Sequence, residues 1–247
     1  MKSKLYLYGV VHSNESKSLG PLGLSTDGSP NEILLHSHMG IGVAYMEKEV
    51  DDNEEMPASR KNLVNHQRVI ELMMNEFTVL PFAFGTIIED IPALEKLIDE
   101  RREDFEKTLT KIVGKVELNL KILWEKMDVI FESLIQENEE INQKRQYLID
   151  HNINDQDEKI ELGKMVEDAL DKKKEMMLNR VLDELKPHTI DHKVQKTISD
   201  AMFANLAFFI ERENEKAFDA KVNELSDKMG ENLVFKYVGP MAPVNFI

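Results

Sequence analysis

His36 and His38 are the closest pair of histidines in the chain, two residues apart in the run Glu32–His38. Alternate residues of a strand share a face, so both imidazoles could ligate one metal ion. A catalytic zinc needs three protein ligands, and His12 or His66 would have to complete the set. No carboxylate or third histidine stands at motif spacing, so the pair reads first as two half-exposed strand histidines. A metal-dependent enzyme using His36 and His38 is the alternative. His66 lies one helical turn ahead of Ile70 and reads as a satisfied histidine at the core edge rather than a catalytic base.

Other residue types that carry chemistry are arranged without a constellation. Gly40-Ile41-Gly42 and Gly20-Pro21-Leu22-Gly23 open no helix in a phosphate-binding context, so both read as turns. Serines are scattered, with no G-x-S-x-G. Carboxylates fall mainly on helix surfaces. Met73-Met74 and Met176-Met177 sit at helical core spacing, where methionine is adaptable packing. No catalytic, cofactor-binding or metal-ligating residue is assigned, and no cofactor is expected.

The bulk numbers narrow the classes further. With 31 basic and 46 acidic residues the net charge is -15, which argues against nucleic acid and anionic lipid as partners. It favours solubility or a basic or neutral partner. Cysteine is absent, so neither a disulfide framework nor thiolate chemistry is available. The 247 residues suffice for two modest cores. No stretch is long enough to span a bilayer, and the N-terminal apolar run is too short for a signal peptide, so a cytoplasmic location is expected.

The elements that must position these residues follow from periodicity. Leu5–Val11 is aromatic and β-branched and predicts a strand. His12–Pro30, rich in glycine and proline, predicts a long loop. Glu32–His38 and Gly42–Lys48 predict two strands joined by a turn at Met39–Ile41. Asp51–Glu55 is an acidic run expected as a solvated loop. A helix starting near Pro57–Ser59 places Leu63, Ile70, Met73 and Phe77 on one face. It leads into Thr78–Ile88, TVLPFAFGTII, which predicts a strand covered on both faces, with a bulge at Pro81 and a kink at Gly85. After Pro92, a second helix carries Leu94, Ile98, Phe105, Leu109 and Ile112 on one face and stops at Gly114.

Val116–Leu123 alternates strictly, with Val116, Leu118, Leu120 and Ile122 facing one way and Glu117, Asn119 and Lys121 the other. This half-buried strand opens a second domain. A helical hairpin over about 124–186 turns at Asn152–Asp157 and stops at Pro187. A shorter helix with Ile190, Val194, Ile198 and Ala201 on one side follows. Then come a strand at Asn205–Glu211, a helix from Asn214 to Gly230, a strand at Leu233–Val238 and an extended tail. The expected architecture is α+β in two domains. Residues 1–115 form an N-terminal α+β domain. Residues 116–247 form a C-terminal, modified ferredoxin-like domain with the inserted hairpin and an extended tail at 239–247, where there is room for a fourth strand.

Several segments together carry a resemblance. LYLYGVV at the start, NLVNHQRVIELMMNEFTVLPFAFGTI, VELNLKILW and a last strand running into Gly239-Pro240 resemble the gas vesicle protein F/L family (GvpF/GvpL) in the same order and over nearly the whole chain. The most specific part is Asn62–Ile87, a helix with His66-Gln67 followed by V-L-P-x-x-F-G-T at Val79–Thr86. Ala83 stands where the family often has a basic residue. The end Gly239-Pro240-Met241-Ala242-Pro243-Val244 departs from the family's G-P-W-P-P-Y pattern. The resemblance implies an accessory or minor structural protein of gas vesicle assembly without catalysis. It implies as partners the small hydrophobic shell protein (GvpA-like) and other gas vesicle accessory proteins, and a place at the vesicle shell. Contact with the shell protein would run along an exposed sheet edge, by strand addition, or along the hairpin's thinned apolar stripe. A ferredoxin-like regulatory module sensing a small ligand is the remaining alternative.

Overall fold

The computed structural model describes residues 2–24, 30–50, 57–230 and 232–247. The acidic run Asp51–Glu55 lies outside them. The chain divides into two compact units, residues 1–117 together with 240–247, and residues 118–239. The tail thus groups with the first unit, whereas the sequence places it with the second domain.

The first unit is assembled on β1 (Lys2–His12). It pairs antiparallel with β4 (Ile41–Val50), and β4 pairs with β3 (Pro30–His38). Met39 and Gly40 turn between β3 and β4 with φ of 50° and 85°, the left-handed pair that suits a tight hairpin. β2 (Lys17–Leu24) lies outside β3, within the stretch expected as a loop. Gly20, Pro21 and Gly23 belong to this strand rather than to a turn. Its register with β3 slips twice, which an edge strand tolerates because only one of its sides is hydrogen-bonded.

α1 (Arg60–Met73) begins at Ser59, whose hydroxyl accepts from the Asn62 N–H at 3.2 Å. It buries His66, Val69, Ile70 and Met73, whereas Leu63 and Val64 face outward. The buried stripe is therefore rotated from the one expected, because a histidine takes a core position that apolar counting gives to leucine.

Thr78–Ile88 is not one covered strand. It forms β5 (Leu80–Pro81) and β6 (Ile87–Ile88), each two residues long and antiparallel to β1 at the margin of the sheet. Pro81 cannot donate to a ladder, and Gly85, at φ 87°, turns the chain outward between the two pieces. Opposite Pro81 stands Gly9. A Cβ there would lie 2.7 Å from Val79 Cγ1 and 3.1 Å from the Leu80 carbonyl oxygen, so only glycine admits β5 this close.

α2 (Ile91–Ile112) is capped by Asp90, which accepts from the Ala93 N–H at 2.9 Å. Leu94, Ile98, Phe105 and Leu109 pack on Leu5, Leu7, Val10, Ile41, Val43 and Tyr45. A bulge between Leu7 and Gly9 shifts the alternation by one, so Leu5, Leu7 and Val10 all reach this core. Each such side chain contributes roughly 1.5–3 kcal/mol by leaving water.

The second unit is built on a four-stranded sheet in the order β10-β7-β9-β8. β7 (Lys115–Trp124) and β9 (Met202–Glu211) are central, and β8 (Asp191–Val194) and β10 (Leu233–Met241) are the margins. β8 replaces the short helix expected after Pro187. Ile190, Val194 and Ile198 repeat every four residues, but all three are exposed rather than core. The tail forms no fourth strand and ends in a short turn at Val244–Phe246.

Between β7 and β8 run α3 (Met127–Glu137), α4 (Glu139–Asp150) and α5 (Gln156–Leu185). Asn138 breaks the outgoing arm by capping α4 through the Ile141 N–H at 3.3 Å. Leu134, Ile141 and Leu148 stay buried along the seam. Lys173 reaches Glu137 at 2.9 Å, and Lys144 pairs with both Glu158 and Glu161, so ion pairs bind the arms where apolar residues thin out. α6 (Glu215–Met229) buries Phe218, Val222 and Leu225, with the Phe218 ring 5.1 Å from that of Phe208 on β9. Asn214 precedes α6, but its side chain makes no capping bond.

Candidate functional site

Two residues along a strand and one turn along a helix advance the chain by similar distances, about 6 Å each. β3 and α2 use that match. His36 Nε2 meets Glu95 Oε1 at 3.0 Å and His38 Nε2 meets Asp99 Oδ1 at 3.0 Å, while His38 Nδ1 stands 3.8 Å from Glu95. The structure thus brings the predicted pair together and adds two carboxylates from α2 that are remote in sequence. The four groups form a line rather than a cage. Glu95 and Asp99 engage opposite nitrogens of the His38 ring. Among the described residues no group of three or more His, Cys, Asp or Glu converges on a point that a metal ion would occupy. His66 is engaged elsewhere, and His12 does not complete a set.

A second cluster is built by α1, β1 and the loop between β5 and β6. Tyr6 and Tyr8, two residues apart on β1, share a face and both project toward α1. Both are buried, as is His66. The His66 ring stacks on Tyr8, with centroids 5.3 Å apart and planes at 21°, and meets Tyr6 and Phe84 edge-on. Its hydrogen bonds fix its tautomer. The Phe82 carbonyl oxygen can only accept, so Nε2, 3.2 Å away, carries the proton. Nδ1 therefore accepts from the Tyr6 hydroxyl at 2.8 Å. The Tyr6 oxygen in turn accepts the Gly85 N–H at 3.3 Å. The Phe82 N–H donates to the Tyr8 carbonyl, and the Leu7 N–H donates to the Thr86 carbonyl, each at 2.9 Å. The loop Phe82–Thr86 is thus gripped at both ends by β1 and in the middle by His66 and Tyr6. Ala83 and Gly85 remain exposed at its crest. This geometry accounts for the spacing of His66 from V-L-P-x-x-F-G-T.

Burial holds both phenols protonated. It raises Tyr6 to about 12, partly offset by the Gly85 N–H, and pushes Tyr8 higher still, with Tyr6 adding to the effect. Burial also lowers the His66 pKa below the ordinary histidine range, although its bond to the Phe82 carbonyl works the other way. The unfolded chain then binds the His66 proton more readily than the folded one. The stability due to neutral His66 is complete above the unfolded value of about 6.5 and is lost as pH falls from there through the folded value. Denaturant titrations should show this component falling by at most about 1.4 kcal/mol per pH unit in that window. The same component should be missing in His66→Gln.

The third arrangement lies where the tail returns to the first unit. Glu117, expected on the wet face of its strand, is 0% exposed. Its carboxylate accepts the Asn245 N–H at 2.9 Å and the Asn245 side-chain N–H at 2.6 Å. Lys111 Nζ donates to the Phe246 carbonyl at 2.5 Å, and Ala242 and Phe246 are buried. These contacts are why residues 240–247 group with the first unit. Strict alternation hid Glu117, since a polar residue at an outward position carries no sign of what covers it. Tyr6 and Tyr8 were visible only as strand formers.

No helix is long and apolar enough to cross a membrane among the described residues. The family model described as "Gas vesicle synthesis protein GvpL/GvpF" matches residues 4–247. The Gas vesicle protein F of Nostoc sp. (strain PCC 7120 / SAG 25.82 / UTEX 2576) is 27% identical over 249 residues, spanning 100% of this chain and 98% of that one. The Gas vesicle protein F2 of Halobacterium salinarum is 22% identical, spanning 100% of this chain and 93% of that one. Among solved structures, the gas vesicle protein GvpF from Anabaena sp. PCC7120 superposes with a TM-score of 0.83 at 26% identity, covering 99% of this chain and 98% of that chain. GvpF from Microcystis aeruginosa shares the fold with a TM-score of 0.76 at 24% identity, covering 98% of each chain.

Proposed function

We propose, from the premise that this chain belongs to the gas vesicle synthesis protein GvpL/GvpF family, that it is a non-catalytic docking protein of gas vesicle assembly. Its partners in this reading are the small hydrophobic shell protein and other accessory proteins of the vesicle, and its place is at the shell inside the cell. The observation that carries the reading is the match of that family over residues 4–247, so the whole architecture rather than one module is shared. The use made of the polar clusters supports it. Tyr6, His66 and Glu117 spend their hydrogen bonds on holding a loop and the tail in place. A shell subunit that exposes apolar surface and strand edges before assembly is prone to aggregate, and a soluble acidic partner that covers it keeps it competent.

The same reading treats the second unit as a modified ferredoxin-like domain. Support comes from the succession β7, helices, β8, β9, α6, β10 and the strand order β10-β7-β9-β8. The decisive experiment is co-purification of the full chain with its shell protein, in parallel with a chain ending at Val238. Retention of the shell protein by the full chain is the expected result. Its absence under every condition tried would remove the reading.

A further inference from the structure

Each of the two sheets leaves two margins, and three of the four are blunted. β5 and β6 are two-residue pieces containing Pro81. β2 is broken twice in register by its glycines. β8 is four residues long, exposes Lys193, and has its His192 N–H taken by Asp191 Oδ1 at 2.8 Å. Short length, broken register and lysine are how edges are protected against pairing with another chain.

β10 is different. It is nine residues long, and among the described residues it pairs with β7 alone; Gly239-Pro240 interrupts only its far end, and Lys236 is the single lysine in Leu233–Val238. From Leu233 to Val238 it alternates regularly. Leu233, Phe235 and Tyr237 are partly buried, and Val234 (36%), Lys236 and Val238 (56%) are exposed. It is also rigidly backed. The Tyr237 hydroxyl donates to Asp219 Oδ1 at 2.7 Å, and its ring stacks on Phe218 at 6.4 Å.

We infer that the Leu233–Val238 edge of β10 is the site of strand addition, and that its occupant is an extended segment of the shell protein. The inference rests on the reading of the chain as a shell-protein binder. The segment would carry apolar residues two apart on either side of an acidic one. Lys236 supplies the argument for that chemistry. It makes no ion pair among the described residues and stands between two exposed valines. An acidic residue opposite it is favoured, with apolar neighbours facing Val234 and Val238. A second copy of this chain is disfavoured. Antiparallel self-pairing in the register that lays the exposed Val234, Lys236 and Val238 on their own copies sets Lys236 against Lys236, and like charges directly opposite are destabilising.

The test measures binding of purified shell protein to the full chain, to Val234→Lys/Val238→Lys and to Lys236→Glu. All three positions are at the exposed face, so thermal midpoints should stay close to wild type and certify the fold. Binding is expected to weaken about tenfold or more in both variants, because the added lysines blunt the edge and the charge reversal opposes the acidic residue. Equal binding by wild type and both variants would overturn the edge assignment and leave the docking reading standing. No binding by wild type would overturn the docking reading and the edge assignment with it. Concentration-dependent dimers of the wild type that the lysine variant abolishes would make the occupant a second copy, and the inference would fall.

Discussion

Replacing His66 with alanine is expected to lower the unfolding free energy by about 4 kcal/mol. Three losses add up. The stack on Tyr8 and the edge contacts to Tyr6 and Phe84 vanish. The Tyr6 hydroxyl loses its acceptor, and the Phe82 carbonyl loses its donor. A buried group stranded in this way costs roughly 1–3 kcal/mol, and an aromatic pair is worth about 0.5–1.5 kcal/mol. His66→Phe keeps ring packing but not the bonds, so it should recover only part of the loss. Urea unfolding gives the magnitude. Amide exchange gives the location, since the Gly85 N–H should exchange faster while the core under α2 stays protected. A loss below about 1 kcal/mol would mean that the loop is held by β1 alone.

Glu117→Ala carries the second large effect. It removes both acceptors of Asn245 from a site closed to water, and about 3 kcal/mol is expected. The tail should then come away from the first unit, and proteolysis should cut after Met241 well before the body is attacked. Glu117→Gln is milder, because the Asn245 amide can rotate to offer its oxygen to the new N–H₂ while the main-chain bond is kept. Resistance of the tail to protease in the alanine variant would show that Phe246 burial and Lys111 suffice.

What the sequence made legible follows from pattern strength. α2 repeats its apolar positions over 22 residues and buries the face that periodicity assigns. β7 alternates over ten residues and does likewise, Glu117 excepted. β8 failed because four residues are too few to display a period, and exposed Ile190, Val194 and Ile198 imitate a helical stripe. β2 failed because glycine and proline signal a loop unless a neighbouring strand rescues them. Thr78–Ile88 was expected as one covered strand, but its apolar residues serve a gripped loop at a margin, and a proline and a glycine cut its ladder. The site residues were harder still. The carboxylates facing His36 and His38 are 59 and 61 positions away, a distance that no local spacing reveals.

The bond between Glu117 and Asn245 joins positions 128 apart. During synthesis on the ribosome, the strand that carries this carboxylate emerges long before its partner exists. The intervening 118–239 unit must therefore be accommodated while the first is still open, and closing so long a loop is slow. A chain that stops short of residue 245 therefore carries the Glu117 carboxylate without the tail amide groups that it accepts.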